Sequence, residues 1–241
     1  MKDLDYSVHY SRFHDDTEEH AESVAAWMKP MIEPFVPKDR DSLILDIGCG
    51  YGFSLRALKN LGFKRLTGVE ISSQQAERCR KAGFEVTVTE NTIQWLNENS
   101  GRFQFVVLLD VLEHIPVESQ IEFMRAVNEA LQPGCKVFLT VPNANAALSA
   151  RWRFIDYTHH SSFTEHSLHF VLTNAGFSAI WMDSSKSSRF PRRLWRPGAL
   201  AAVRKWIVRW CWLQVFKAEI PWEKLDGISF ELNLQAAATK A

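Results

Sequence analysis

Leu43-Ile44-Leu45-Asp46-Ile47-Gly48-Cys49-Gly50-Tyr51-Gly52 is an apolar run that breaks into a cluster of glycines. Leu43 to Ile47 has the composition of a strand buried on both faces, and the glycines after it let the backbone turn tightly against a ligand. A second apolar run, Leu66 to Val69, closes on Glu70. In an open α/β sheet a carboxylate at that place accepts from ribose hydroxyls, so the two runs together read as a nucleoside site. A dinucleotide fingerprint, G-x-G-x-x-G, would need glycine at position 53, where the chain has Phe53. The third glycine falls at Gly52 instead, which disfavours a dehydrogenase.

Outward from this segment, strand-like runs at Leu43 to Ile47, Leu66 to Glu70, Glu85 to Thr89, Phe103 to Leu109 and Lys136 to Val141 alternate with helical stretches. That alternation predicts βαβ units, a parallel sheet and ligand-bearing loops gathered along one edge. Before it, Val24, Trp27, Met28, Met31 and Ile32 mark one side of a helix over Glu18 to Glu33, ended by Pro34 and Pro37. After it, Ser167 to Ala175 reads as a helix, Phe177 to Met182 and Gly227 to Leu234 as strands, and Ala236 to Ala241 as a loose tail. The last two strands are too far apart for a hairpin, so an insertion separates them. The chain is therefore expected to be one domain: an N-terminal helical arm or lid (1–40), a core (41–185), a basic, Trp-rich helical insertion (186–224), and a last strand with its tail (225–241).

With Asp46 two residues before Gly48, the motif is D-x-G-x-G-x-G, which resembles motif I of the class I S-adenosylmethionine-dependent methyltransferases. Leu109-Asp110-Val111-Leu112-Glu113-His114-Ile115-Pro116 is similar to the segment after motif IV, and Pro133-Gly134 to the family's turn into the fifth strand. The resemblance covers Asp41 to Met182. It implies an α/β fold, a Rossmann-like, seven-stranded and mostly parallel sheet with helices on both faces, and S-adenosylmethionine as cofactor. It assigns to that cofactor Asp46, Gly48, Cys49, Gly50 and Gly52 around the methionine part, Glu70 with Ile71 at the ribose, Asn91 with Thr92 at the adenine, and Asp110 with Val111. Family members often carry Asp where this chain has Asn91, whose other reading is a helix N-cap before Ile93 to Leu96.

Asp156-Tyr157-Thr158-His159-His160, followed by Phe163-Thr164, resembles a D-x-T-H and F-T pattern in bacterial methyltransferases associated with polysaccharide and lipopolysaccharide gene clusters. A hydroxyl acceptor is a poor nucleophile until its proton leaves, and a His near neutrality can take it. His159 is the first candidate for that base, His160 the second, and Asp156 the orienter of the base or a contact for acceptor hydroxyls. Arg151 and Arg153 could hold an anionic acceptor, with His114, Tyr10 and Arg12 also on the substrate side; Tyr6, Tyr10, Arg12, Phe13 and His14 form the suggested lid. The competing structural reading is a loop-fixing pair of His159 and Asp156 beside a solvated arginine surface. No metal is expected. Carboxylates spaced for a magnesium cage are missing from the Asp110 segment, and adjacent His159 and His160 on an extended loop point in opposite directions.

The resemblance implies O-methylation of a sugar hydroxyl in a bacterial surface polysaccharide or its lipid-linked precursor. A small phenol or quinone precursor is the alternative acceptor, and a cofactor-binding interaction protein without turnover the alternative from another class. Lys and Arg number 28, as do Asp and Glu, yet the stretch 186–217 holds nine bases and no acid. Between 191 and 222, Trp195, Trp206, Trp210, Trp212 and Trp222 interleave with those bases. Drawn as a helix, Gly198 to Lys217 places Leu200, Val203, Trp206, Ile207, Trp210 and Leu213 on an apolar side and Arg204, Lys205 and Arg209 on another. This fits peripheral membrane contact, a homodimer contact or a cover over the substrate site; nucleic acid is disfavoured by the excess of apolar residues. Cys49, Cys79, Cys135 and Cys211 form no C-x-x-C pair, the N-terminus lacks a signal-peptide core, and no apolar run approaches the ~20 residues of a span. The expected location is cytoplasmic, at most peripheral on the inner face of the membrane.

Overall fold

The computed structural model describes residues 10–15, 17–183, 190, 195, 198–223, 225 and 228–241. Tyr6 and much of 184–197 lie outside them. The apolar runs form β1 (Leu43–Ile47), β2 (Arg65–Glu70), β3 (Glu85–Val88), β4 (Phe103–Leu109) and β5 (Leu131–Pro142), all parallel. β6 (Phe177–Met182) and β7 (Asn233–Lys240) complete a seven-stranded sheet of order β3-β2-β1-β4-β5-β7-β6, in which β7 runs antiparallel to both its neighbours. Strand order reverses between β1 and β4, and the crevice beyond the carboxyl ends of strands at such a reversal is where open α/β sheets take their ligands.

Strand alternation divides the core between the two faces. Leu45, Ile47, Val106, Leu108, Val137 and Leu139 pack on one side, against α5 (Gln120–Ala130) and α7 (Glu165–Asn174). Ile44, Phe105, Val107 and Phe138 pack on the other, against α1 (Glu18–Ile32), α2 (Phe53–Asn60) and α3 (Ser73–Lys81). Phe138 is fully buried and stacks on Phe35 at 5.1 Å between centroids. Phe138→Ala is expected to cost about 3–5 kcal/mol, read as a lower urea midpoint with an unchanged slope.

Two expectations change. The last strand is Asn233–Lys240, not Gly227 to Leu234, so the supposed tail is sheet. Ile228 and Phe230 are buried without being in a strand, and Ala236, Ala237 and Ala238 pair with β5, where small side chains let the layers close. Trp27 does not face inward: it is 67% exposed, while Ala25 and Ile32 carry the buried side of α1. The remaining helices are α4 (Thr92–Glu98), a short α6 (Ser149–Phe154) that contains Arg151 and Arg153, and α8 (Ala199–Glu219) in the insertion. Leu200, Ile207 and Trp210, on the apolar side of α8 drawn from sequence, are exposed.

Candidate active site

The glycine loop is pinned to β2 by its own backbone. Gly48 and Cys49 donate to the Val69 carbonyl at 2.8 and 3.2 Å, and Gly52 donates to the Cys49 carbonyl at 2.8 Å. Gly48 has φ +69°, and a Cβ there would stand 2.5 Å from Val111 Cγ2, so neither conformation nor space admits a side chain. Cys49 is buried with its sulfur toward β2, where a Cβ on Gly68 would come within 2.6 Å of it. Cys49 thus contributes backbone to the cleft and its thiol to the core.

Glu70 ends β2 with its carboxylate turned to this loop. Oε2 accepts from Gly50 N–H at 2.9 Å, and Oε1 from the N–H groups of Ile71 and Ser72, each at 2.9 Å. Beside it Ile71 is 58% exposed, an apolar surface presented at the sheet edge. Asp46 lies beneath, 1% exposed, and accepts from Ser54 Oγ. Burial pushes its pKa up from 3.8 to about 7. A folded value above the unfolded one means that the carboxyl favours the fold most at low pH, and that this contribution is lost as pH rises through about 7. Asp46→Asn is therefore expected to flatten the fall in urea midpoint of the parent between about pH 4 and 7.

Tyr10, assigned from sequence to the substrate side, lies instead over the cofactor loop. A Cβ on Gly50 would stand 2.9 Å from its hydroxyl oxygen, and its ring meets Tyr51 edge-on at 4.5 Å. Burial and the charge of Glu70 both push its phenol pKa upward. Arg12 is exposed. The Asn91 side chain caps α4, accepting from Gln94 N–H at 3.1 Å and donating to Gln94 Oε1 at 3.2 Å, with Thr92 half-buried behind it. Asp110 adopts φ +53°, and its Oδ1 accepts from Thr140 Oγ1 at 2.9 Å and from Asn233 Nδ2 at 2.8 Å. Asn233 also accepts from the Trp152 indole N–H, so the start of β7 fastens the end of β4 to α6. These donors and acceptors fit S-adenosylmethionine: a loop whose glycines let its backbone turn close beneath a ligand, a carboxylate placed to accept from ribose hydroxyls, and the apolar Ile71 and Val111.

The loop after α6 returns to the carboxyl end of β5 through Phe163 N–H to Pro142 carbonyl and Ala144 N–H to Phe163 carbonyl, both 2.8 Å. On it Asp156 is buried, and its Oδ1 accepts from Thr158 N–H at 2.8 Å and Thr158 Oγ1 at 2.7 Å. Thr158 Oγ1 in turn pairs with His114 Nδ1 at 2.8 Å. The Asp156 carboxylate thus reaches His114 through Thr158. The His159 ring lies edge-on to His114 at 4.7 Å, with Nδ1 3.2 Å from the Arg153 carbonyl and Nε2 3.9 Å from Glu113 Oε1. His160 is exposed and donates its backbone N–H to the Glu113 carbonyl at 2.7 Å. Arg151 is exposed, and Arg153 lies over the Phe154 ring at 5.0 Å.

Glu113 is fully buried, and neither carboxylate oxygen has a hydrogen-bond partner among the described residues. Burial first and the charge of Asp110 second hold its pKa well above the ordinary carboxylate range. One ligand atom each from Glu113, His114 and His159 falls within 4.8 Å of the others, a spacing that a cation could bridge. The histidine that joins His159 is His114 and not its neighbour His160. That pairing depends on two distant loops meeting, which neither motif spacing nor periodicity records.

A family described as a methyltransferase domain matches residues 18–180, about two thirds of the chain. Ubiquinone biosynthesis O-methyltransferase of Nitrosococcus oceani is 31% identical over 105 residues, which is 42% of this chain and 43% of that protein. The protein of the same name from Pseudomonas aeruginosa is 32% identical over 107 residues, 42% of this chain and 45% of that one. The chain thus spans about half or less of the length of the curated relatives it matches. The solved structure of a SAM dependent methyltransferase from Archaeoglobus fulgidus superposes with a TM-score of 0.66 at 20% identity, over 91% of this chain and 94% of that one. Phosphoethanolamine N-methyltransferase 2 of Haemonchus contortus, in complex with S-adenosyl-L-methionine, gives 0.56 at 18% identity over 88% of this chain and 51% of that one. At such identities the likeness to the solved structures is one of fold. The family match, carried on a sheet of this order with its glycine loop and carboxylate so placed, makes the chain a member of the methyltransferase-domain family, in its class I, S-adenosylmethionine-dependent branch.

Proposed function

We propose that the chain methylates a hydroxyl of a small organic acceptor, such as a phenol, rather than a surface glycan. The observation that carries this reading is the placement of His159 on the loop that returns to the carboxyl end of β5. The Arg153 carbonyl can only accept, so neutral His159 carries its proton on Nδ1 and leaves the Nε2 lone pair toward Glu113. Its side chain is 9% exposed, which keeps water from competing for that lone pair. Bound S-adenosylmethionine supplies an electrophilic methyl on a sulfonium. Nε2 then takes the acceptor's hydroxyl proton as the methyl leaves the sulfonium for the acceptor oxygen. The chain from Asp156 through Thr158 to His114 fixes the neighbouring ring.

Two observations support a small aromatic acceptor. The relatives named above act, by their names, in ubiquinone biosynthesis, and nothing in those names concerns polysaccharide. Phe154 and Tyr157, 75% and 95% exposed, stand on either side of the stretch that leads to His159 and offer faces for a planar ring. The test is transfer of an isotope-labelled methyl from S-adenosylmethionine into bacterial extract separated into small metabolites, lipid-linked glycans and macromolecules. Label is expected among the small metabolites. Label confined to the glycans would overturn the reading in favour of the surface sugar, and no incorporation despite measured cofactor binding would favour an interaction protein.

A further inference from the structure

Among the described residues, one side of α8 carries its polar anchors, and Trp206 meets Phe190 edge-on at 5.1 Å. Trp212 donates its indole N–H to the Asn145 carbonyl at 2.8 Å, Phe216 packs edge-on against Phe230 at 5.2 Å, and Lys205 and Arg209 turn to Glu231. Two of the three bases that sequence clusters on one side are thus spent on the protein's own carboxylate. Roughly a third of a turn around the helix lies a stripe at helical spacing, Leu200, Arg204, Ile207, Val208, Cys211 and Val215, every member exposed. The four aliphatic side chains on it are 45–64% exposed, and Trp195 and Trp222, flanking the helix in sequence, are each 80% exposed. A helix apolar on its outer side as well as its inner one has a second surface to cover.

We infer that this outer stripe of α8 docks on the surface of an anionic lipid bilayer, with the helix lying in the headgroup plane. Charge decides for this occupant. The stretch 186–217 carries seven Lys or Arg besides the Lys205 and Arg209 held by Glu231, and no Asp or Glu, which suits phosphate headgroups. A two-fold pairing of two copies through the same stripe would bring two Arg204 side chains onto a surface whose six residues include no carboxylate. At a bilayer Arg204 instead reaches up to a phosphate while its aliphatic neighbours enter the acyl boundary, and Trp195 and Trp222 suit the interface, where an indole keeps one end wet. No described helix is long and apolar enough to cross a membrane, so contact is by lying on it. The inference does not rest on the acceptor proposed above.

The test is co-sedimentation of the full chain with phosphatidylcholine vesicles made with and without phosphatidylglycerol, at low and high salt. Binding is expected to the anionic vesicles, to weaken with salt, and to fall at least about tenfold in the double variant Val208→Glu, Val215→Glu. Both positions face solvent, so a thermal melt of the variant should match the parent. Failure to bind anionic vesicles would overturn the inference, as would binding that the variant leaves unchanged. A solution dimer that the same variant dissociates would overturn it in favour of a second copy.

Discussion

His159→Asn is expected to lower kcat by about 10²–10⁴-fold, with the dissociation constant for S-adenosylmethionine essentially that of the parent. Asn is the informative replacement because its amide nitrogen can still donate toward the Arg153 carbonyl, as Nδ1 does at 3.2 Å, while nothing replaces Nε2. A loss of turnover then reports the missing lone pair rather than a collapsed loop. The readout is initial rate against acceptor concentration alongside calorimetric cofactor binding. Rates within a few-fold of the parent would mean that His159 only fixes the loop and that the acceptor loses its proton elsewhere. The same experiment with Asp156→Asn tests the bonds by which Asp156 holds Thr158 and, through it, His114. Its effect on rate should be smaller than that of losing Nε2.

Glu70→Ala is expected to weaken S-adenosylmethionine binding by about 100-fold or more. The carboxylate accepts from Gly50, Ile71 and Ser72, so its removal leaves three backbone donors without their acceptor. It also takes away the group placed to accept from ribose hydroxyls. Glu70→Gln divides these roles. The amide oxygen can keep the Ile71 and Ser72 bonds, while its NH2 meets the Gly50 N–H where Oε2 had accepted. A Gln variant that folds with the parent's stability yet binds cofactor poorly would place the loss at the loop and ribose. Isothermal titration of both variants checks this, and parental affinity in Glu70→Ala would remove Glu70 from the cofactor site.

What the sequence revealed was what neighbouring residues decide among themselves. The strand from Leu43, the glycines through Gly52 and the carboxylate at Glu70 follow from composition and short spacing, and the five parallel strands from alternation. β7 was misplaced because Ile228, Phe230, Leu232 and Leu234 alternate like a strand, whereas the alanines that form it carry little hydrophobic signal. Their pairing is chosen by β5, more than ninety residues earlier in the chain. The Asp156 to His114 relay and the buried Glu113 were illegible for the same reason, since each joins loops distant in sequence. On α8 periodicity identified the helix but not its outward side, because apolar residues lie nearly all around it and Glu231 decides which bases turn inward.

The position of β7 has a kinetic consequence. It lies between β5 and β6, so β6 has no partner in the sheet until a segment some fifty residues further along has threaded between them. Closing so long a loop costs entropy before any ladder bond repays it, which makes this the late step of folding and leaves the edge of β5 open meanwhile. That edge is apolar and unpaired, with Val137, Phe138 and Leu139 in sequence, and it is the site at which an incompletely folded chain would capture another. Aggregation during refolding should therefore track the time taken to seat β7 rather than the stability of the finished sheet.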